Sequence, residues 1–199
     1  TKDTKAQDLL KLGQLVHKRR KAARWSRGTA GEFIERLAAE IEADYRFNGP
    51  EGEVGLTELF AGRRQLIVYH FMYHRDKGEG CPGCSFLADN IGHLPTSARD
   101  TSLVLVSNAP LAELQAFRKR MGWDLPWYSS FGSRFNYDFH VTIDASQAPV
   151  EYNYQGEAEL KRMGQLDMIK GELPGASVFL RDGERVFHTY STYARGLDC

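Results

Sequence analysis

The sequence predicts an α/β fold built on a central mixed sheet, with a helical N-terminal extension. Three observations carry that expectation. Residues 65–73 read QLIVYHFMY, a run of branched and aromatic side chains too continuous for an exposed strand and suited to one buried on both faces. The stretch EGCPGCSF at 79–86 opens a helix that leads into a second apolar run, SLVLVS at 102–107. Two strands joined by a helical crossover pair in parallel. Finally, residues 176–181 and 185–190 flank Asp182-Gly183, a dipeptide that favours a two-residue hairpin loop and so adds an antiparallel pair.

The elements follow in order. Leu9, Leu10, Leu12, Leu15 and Val16 recur at helical spacing and end in the cluster His17-Lys18-Arg19-Arg20-Lys21, which predicts an amphipathic helix over 6–24 with cations at its C-terminus. Thr29 and Glu32 have the spacing of a capping box, and Phe33, Ile34, Leu37, Ala38 and Ile41 mark a second helix to Asp44. Residues 1–44 therefore form the extension and 45–199 the main domain. Asn48-Gly49-Pro50-Glu51-Gly52 is a turn signal, and 56–60 reads as a strand end and one helical turn. After the strand at 65–73 comes a helix over 81–93, the strand at 102–107 and a helix over 110–121 with Leu111, Leu114, Phe117 and Met121 on one face. Residues 123–129 and 138–143 read as short strands, 149–155 as an exposed excursion, and 176–190 as the terminal hairpin. The aromatic residues Trp123, Trp127, Tyr128, Phe131, Phe135, Tyr137 and Phe139 either line a substrate groove or build core and rim.

The 199 residues carry 26 Lys and Arg against 26 Asp and Glu, with 42% hydrophobic residues, an ordinary globular composition. No apolar run approaches the roughly 20 residues that cross a bilayer, so no membrane association is expected. The first ten residues lack an apolar signal core, and the expected compartment is the cytoplasm. One short basic cluster on a neutral protein lacks the stripe that phosphate tracking requires, so nucleic acid is not an expected partner. A homo-oligomer is compatible with the sequence.

Cytosolic thiols are kept reduced, and a pair of them is more often catalytic or metal-binding than a structural staple. With Cys81 as helix N-cap, Pro82 falls at the first helical position, where its missing N–H costs nothing, and Cys84 at the third. The Cys81 sulfur then faces free amides and the positive end of the helix, both favouring thiolate. Cys84, on the same helix face, is within disulfide reach. Cys81 is the expected nucleophile and Cys84 the resolving thiol shielded beneath it. A zinc site and two inert thiols are the alternatives: a second C-x-x-C is absent, and His70, His74 and His93 show no Cys2His2 spacing. Period two puts His70 and His74 on one face of the strand, with His74 near enough the cysteine loop to tune the thiolate. Cys199 reads as a free thiol.

Strand, C-x-x-C helix, strand, helix and terminal hairpin together resemble the thioredoxin fold, a three-layer arrangement. More specifically, FAGRRQLIVYHFM at 60–72, GCPGCSF at 80–86 with Ala88-Asp89-Asn90, FNYDF at 135–139 and VFHTYSTYARG at 186–196 resemble the thioredoxin-like family catalogued as domain of unknown function 899. The resemblance spans about 45–198, and that family is described as predicted dithiol-disulfide oxidoreductases. It implies thiol-disulfide exchange with a protein or small-molecule disulfide or thiol, and recharging by a cellular thiol reductant. No metal and no organic cofactor is implied. Between the cysteines, Pro82-Gly83 replaces the Gly-Pro of thioredoxin, and Gly80 stands where thioredoxin has Trp, so partner surface and redox poise should differ. Pro174, ahead of the hairpin, resembles the cis-proline beside the thioredoxin disulfide. A thiol peroxidase of peroxiredoxin-like type and a non-catalytic binding module are the other readings. Against the first, the Thr or Ser and the Pro that precede a peroxiredoxin's catalytic cysteine are replaced by Cys81 and Lys77 when Cys84 is aligned there.

Overall fold

The computed structural model describes residues 39–91 and 100–194. The helix expected over 6–24, most of the second helix, His93 and Cys199 lie outside the described residues. The chain begins with strands β1 (Ala39–Glu40), β2 (Arg46–Gly49) and β3 (Gly52–Gly55), then a 3-10 turn at Glu58–Phe60. Next come β4 (Gln65–His70), a ribbon of β5 (Tyr73–His74) and β6 (Glu79–Gly80), and helix α1 (Pro82–Ile91). Strand β7 (Thr101–Ser107), helix α2 (Leu111–Met121), β8 (Trp127–Ser129) and the short helix α3 (Phe135–Asp138) follow. After β9 (Thr142–Ile143), β10 (Glu151–Tyr152), β11 (Gln155–Gly156), helix α4 (Glu157–Arg162) and β12 (Gly171–Glu172), the terminal hairpin is β13 (Gly175–Asp182) and β14 (Arg185–Tyr193).

Eight strands form the main sheet in the order β1-β14-β13-β4-β7-β8-β2-β3. β4 and β7 are parallel, as are β7 and β8, while β13 runs antiparallel to both β4 and β14. The sheet is therefore mixed, and the strand-helix-strand-helix unit occupies its centre.

The uninterrupted apolar run of β4 reflects cover on both faces. Leu66 and Val68 join one core with Val104, Val106, Phe135, Phe139, Phe179 and Leu160. Tyr69 and Phe71 face the other way, into a second core with Leu105, Cys84, Ala88, Leu114, Phe117 and Trp127. Helices α1 and α2 cover that second face, giving three layers. Helix α2 stops at Gly122, whose φ of 69° places it in the left-handed region, a conformation glycine adopts without the Cβ penalty.

The first core contains a polar chain. His70 Nε2 meets Ser177 Oγ at 2.8 Å, Ser177 Oγ meets Ser191 Oγ at 2.7 Å, and Ser191 Oγ meets His188 Nε2 at 2.8 Å. Ser177 and Ser191 are direct partners in the β13–β14 register. Burial holds His70 down at about 3 and His188 at about 4, so both imidazoles are neutral.

Several expectations are corrected. Strand β4 ends at His70, not Tyr73, because the chain turns away after the Phe71 N–H bonds to the Val106 carbonyl. His70 and His74 therefore do not share a strand face. Within the second expected helix, Ala39–Glu40 instead pairs with β14, opposite His188 and Phe187, so the helix does not reach Asp44. The expected strand at 138–143 shrinks to β9, since Phe135–Asp138 is helical. The segment 149–155 is no exposed excursion: Tyr152 is fully buried, and its hydroxyl donates to the Pro174 carbonyl at 2.8 Å. The terminal hairpin's loop is Gly183-Glu184, since Asp182 and Arg185 still pair.

Candidate active site

The second core carries the cysteines. After β4, Met72 leads into the β5–β6 ribbon, where Tyr73 pairs with Gly80 and His74 with Glu79. The ribbon returns the chain to its starting point, and the Cys81 N–H donates to the Met72 carbonyl at 3.0 Å. Cys81 is thus tied to the end of the central strand before the helix starts. Pro82 is the first residue of α1, and the Cys81 carbonyl accepts the first helical hydrogen bond from the Ser85 N–H at 2.9 Å. Pro82 and Gly83 are exposed, Cys81 is half-buried, and Cys84 is 2% exposed within the aromatic core. Both thiols are free.

This geometry separates the two sulfurs chemically. The Cys81 thiol is lowered to about 5, chiefly by the hydrogen bond that the Cys84 thiol offers it; the N–H groups of Cys84 and Gly83 and the charge of His74 add to this, and partial burial opposes it. Cys84 is pushed up by the same hydrogen bond and by burial, and pulled back in part by the Tyr69 hydroxyl and a Met72 backbone hydrogen bond. Charge and burial thus favour the ionised form at the outer sulfur and the protonated form at the inner one.

The remaining expected residues fall out unevenly. His74 sits half-buried on β5, and its charge acts on Cys81. Pro174 lies between β12 and β13 and is trans, as are all peptide bonds among the described residues. The cis-proline expectation is therefore corrected, and the residue of this segment that packs against the cysteine core is Ala176. Of the seven aromatics, Trp127, Phe135 and Phe139 are core, while Phe131 is exposed and stacked under Arg75 at 4.6 Å. Among the described residues no three His, Cys, Asp or Glu side chains group as metal ligands.

Tyr69 was not anticipated from the sequence. It is buried in the same core as Cys84, and its hydroxyl works to lower that thiol against the effect of burial. Strand alternation contains the signal, because Tyr69 and Phe71 must face opposite His70, but nothing local to residue 69 says that the cysteine helix lies over that face. Gly80 also has a reason invisible in one dimension: a Cβ there would meet Phe71 Cζ at 2.7 Å and Phe117 Cζ at 3.0 Å.

A second polar cluster follows β7. Thr142 Oγ1 donates to the Glu172 carboxyl at 2.8 and 2.9 Å, and Asn108 Nδ2 reaches Glu172 Oε1 at 3.3 Å. Burial lifts Glu172 to about 7 despite the hydrogen bonds from Thr142, Asn108 and Asn136.

Comparison with known proteins gives a consistent picture. A family model described as "Bacterial protein of unknown function (DUF899)" matches residues 21–199. No curated protein sequence matches the chain. Among solved structures, the chain is similar to the bacterioferritin comigratory protein of Xanthomonas campestris, with 13% identity, 80% of this chain and 90% of that one covered, and a TM-score of 0.50. It also resembles the peroxidoxin BcpB of Mycobacterium tuberculosis, at 14% identity, 79% and 85% coverage and a TM-score of 0.46. A third likeness is to a secreted M. tuberculosis disulfide oxidoreductase homologous to E. coli DsbE, at 11% identity, 76% and 87% coverage and a TM-score of 0.42. The first of these likenesses shows the thioredoxin-like fold.

Proposed function

We propose, for a chain that belongs to the bacterial family DUF899, that the Cys81–Cys84 pair carries out thiol-disulfide exchange. The observation that carries this reading is the pairing of an accessible Cys81 sulfur at the amide end of α1 with a buried Cys84 one turn behind it. Cys81 thiolate attacks one sulfur of a substrate disulfide, forming a mixed disulfide and expelling the other half as a thiolate. Cys84 loses its proton and attacks the Cys81 sulfur. The Cys81–Cys84 disulfide forms, the second half of the substrate leaves as a thiol, and two electrons have passed from the pair to the substrate.

Protein or small-molecule disulfides and thiols are the substrate class, and a cellular thiol reductant returns the pair to its dithiol state. The exchange belongs in the cytoplasm on this reading, where such reductants are abundant.

Cys84→Ser tests the reading. With Cys84 unable to resolve the intermediate, a non-reducing gel of protein mixed with glutathione disulfide or a cell extract should show Cys81-linked mixed disulfides. Absence of any such adduct together with peroxide-driven sulfenic acid at Cys81 would replace exchange with peroxidase chemistry. A Cys81 that resists alkylation at neutral pH would remove both.

A further inference from the structure

We infer that Arg75, stacked on Phe131 at the rim of the cysteine core, binds a carboxylate of the disulfide that Cys81 attacks, so that carboxylate-bearing disulfides and thiols are the preferred substrates. The inference rests on the exchange reading above and names the substrate class of that same site. The topology supplies the placement. β4 and β7 run parallel, and the helices that follow them cover one sheet face. Both helices therefore begin at one edge of the sheet, the carboxyl edge at which ligands of such sheets bind. Cys81 stands at the start of α1 and Glu113 in the first turn of α2. The β5–β6 ribbon reaches from one to the other: its rungs run from Met72 and Cys81 through Tyr73–Gly80 and His74–Glu79 to the turn that begins at Arg75. Three residues of extended chain put Arg75 about 10 Å from the Cys81 rung.

The guanidinium is presented rather than consumed. Arg75 Cζ lies 4.6 Å from the centroid of the Phe131 ring, and that ring is 47% exposed. Its loop is fixed from behind. The Phe131 N–H donates to Ser129 Oγ at 3.2 Å, that hydroxyl donates to the Ala109 carbonyl at 2.6 Å, and the Ser130 N–H donates to the Ser107 carbonyl at 2.9 Å. An aromatic face held in this way orients the guanidinium plane and uses none of its N–H groups. The Glu113 carboxylate stands 3.9 Å from Arg75 Nε, beyond hydrogen-bond reach, with the two side chains 37% and 49% exposed. A solvated pair at that distance is too weak to hold the guanidinium against a better-placed carboxylate.

Other charges of the ribbon leave the site open. Glu79 is opposite His74 and so lies on the ribbon face away from Tyr73, whose ring meets Phe117 of α2 at 5.8 Å. Asp76 and Lys77 are neighbours in the turn and offset one another. The planar fork of an arginine matches the two oxygens of a carboxylate, and thiols built from amino acids carry such a group a few bonds from the sulfur. Arg75 acts in recognition and leaves the chemistry to the two cysteines.

Glutathione disulfide and the disulfide of glutathione amide, in which both glycine carboxylates are capped, are the probes. In the Cys84→Ser protein at neutral pH and low salt, acid quenching followed by intact mass gives the rate at which each forms its adduct on Cys81. Glutathione disulfide should react about 5- to 20-fold faster than the amide, the effect of one charge-assisted fork at a half-exposed position. Arg75→Gln in the same background should bring that ratio near one. Arg75→Lys, which keeps the charge and loses the fork, should give an intermediate ratio.

The failures are distinguishable. If the two probes react equally, if their ratio survives Arg75→Gln, or if Arg75→Gln slows both alike, Arg75 has no part in recognition and the exchange reading stands. If neither probe forms an adduct on Cys81, the exchange reading falls and this inference with it. Should Arg75→Gln fail to fold, salt gives the decision on the protein with Arg75 intact: about 0.5 M sodium chloride should draw the ratio toward one, and a ratio that salt leaves unchanged overturns the inference.

Discussion

Gly80 presses its backbone against the ring of Phe71 so closely that a Cβ on it would stand 2.7 Å from Cζ. Phe71 has little freedom to yield, since Trp127 packs on it at 4.6 Å and Trp123 at 5.8 Å between ring centroids. Gly80→Ala is expected to destabilise the fold by about 1–3 kcal/mol, as overpacking does. Because the next residue is Cys81, the same change should loosen the Cys81 amide's bond to Met72 and slow alkylation of that thiol. Chemical denaturation and iodoacetamide kinetics on one preparation check both. An unchanged stability would mean that the rings move aside.

Alkylation of Cys81 should follow a single ionisation near pH 5, with a flat rate from pH 6.5 upward, where an ordinary thiol would still be gaining reactivity toward about 8.5. Lowering the thiol also stabilises the dithiol state against the disulfide. The pair should therefore be more oxidising than thioredoxin, whose midpoint is about −270 mV, and approach the range of about −200 to −120 mV. Equilibration in glutathione redox buffers measures it; a value below −270 mV would contradict the ionised Cys81.

Stability should respond to pH through groups of opposite sign. Glu172 has a folded value of about 7 against 4.5 unfolded. The folded state therefore binds the extra proton, and its contribution is complete below pH 4.5 and fades as pH rises through 7. Glu172→Gln should abolish that loss, gaining about 2 kcal/mol at pH 8 after allowing for partial solvation. His70 and His188, at about 3 and 4 against 6.5 unfolded, act the other way. Between 6.5 and 4 the unfolded chain takes up protons that the folded one refuses, so stability falls on acidification. Urea titrations from pH 4 to 8 should show the mutant steeper on the acid side and flat above 7.

Ser107 ties strand to loop. Its hydroxyl donates to the Phe71 carbonyl at 2.6 Å and accepts from Trp127 Nε1 at 3.0 Å, with no exposure to solvent. Ser107→Ala leaves a carbonyl and an indole N–H unpartnered in the core and should cost about 2–4 kcal/mol, more than its small volume change implies. Thermal unfolding tests this, and indole fluorescence should shift as Trp127 loses its acceptor.

What was legible in the sequence was what one element can state about itself. The run of branched and aromatic residues from Leu66 to Tyr69 announces the burial of β4, and Pro82 after Cys81 announces where α1 begins, because both signals are local. Tyr69, Gly80 and Ala176 belong to the site through contacts with segments far along the chain, and no spacing rule reports that α1 folds back over the 69-71 face. The misplacement of His74 has a physical cause as well. A run of apolar residues carries no mark of where its backbone leaves the ladder, and here the departure is set by Met72 accepting the Cys81 N–H. The place of Pro174 relative to the hairpin does not determine its peptide isomer.

The His70–Ser177–Ser191–His188 chain has a consequence for how the hairpin finds its mate. Sliding β13 along β14 or β4 by two residues would keep every side chain on its proper face, so greasy contacts alone discriminate weakly between such alignments. Each slipped alignment, however, would pull Ser177 away from His70 or Ser191 and leave a buried polar group without its partner among phenylalanine rings. The polar thread thus acts as a vernier, penalising near-miss alignments in a barrier-like way that the surrounding hydrocarbon cannot.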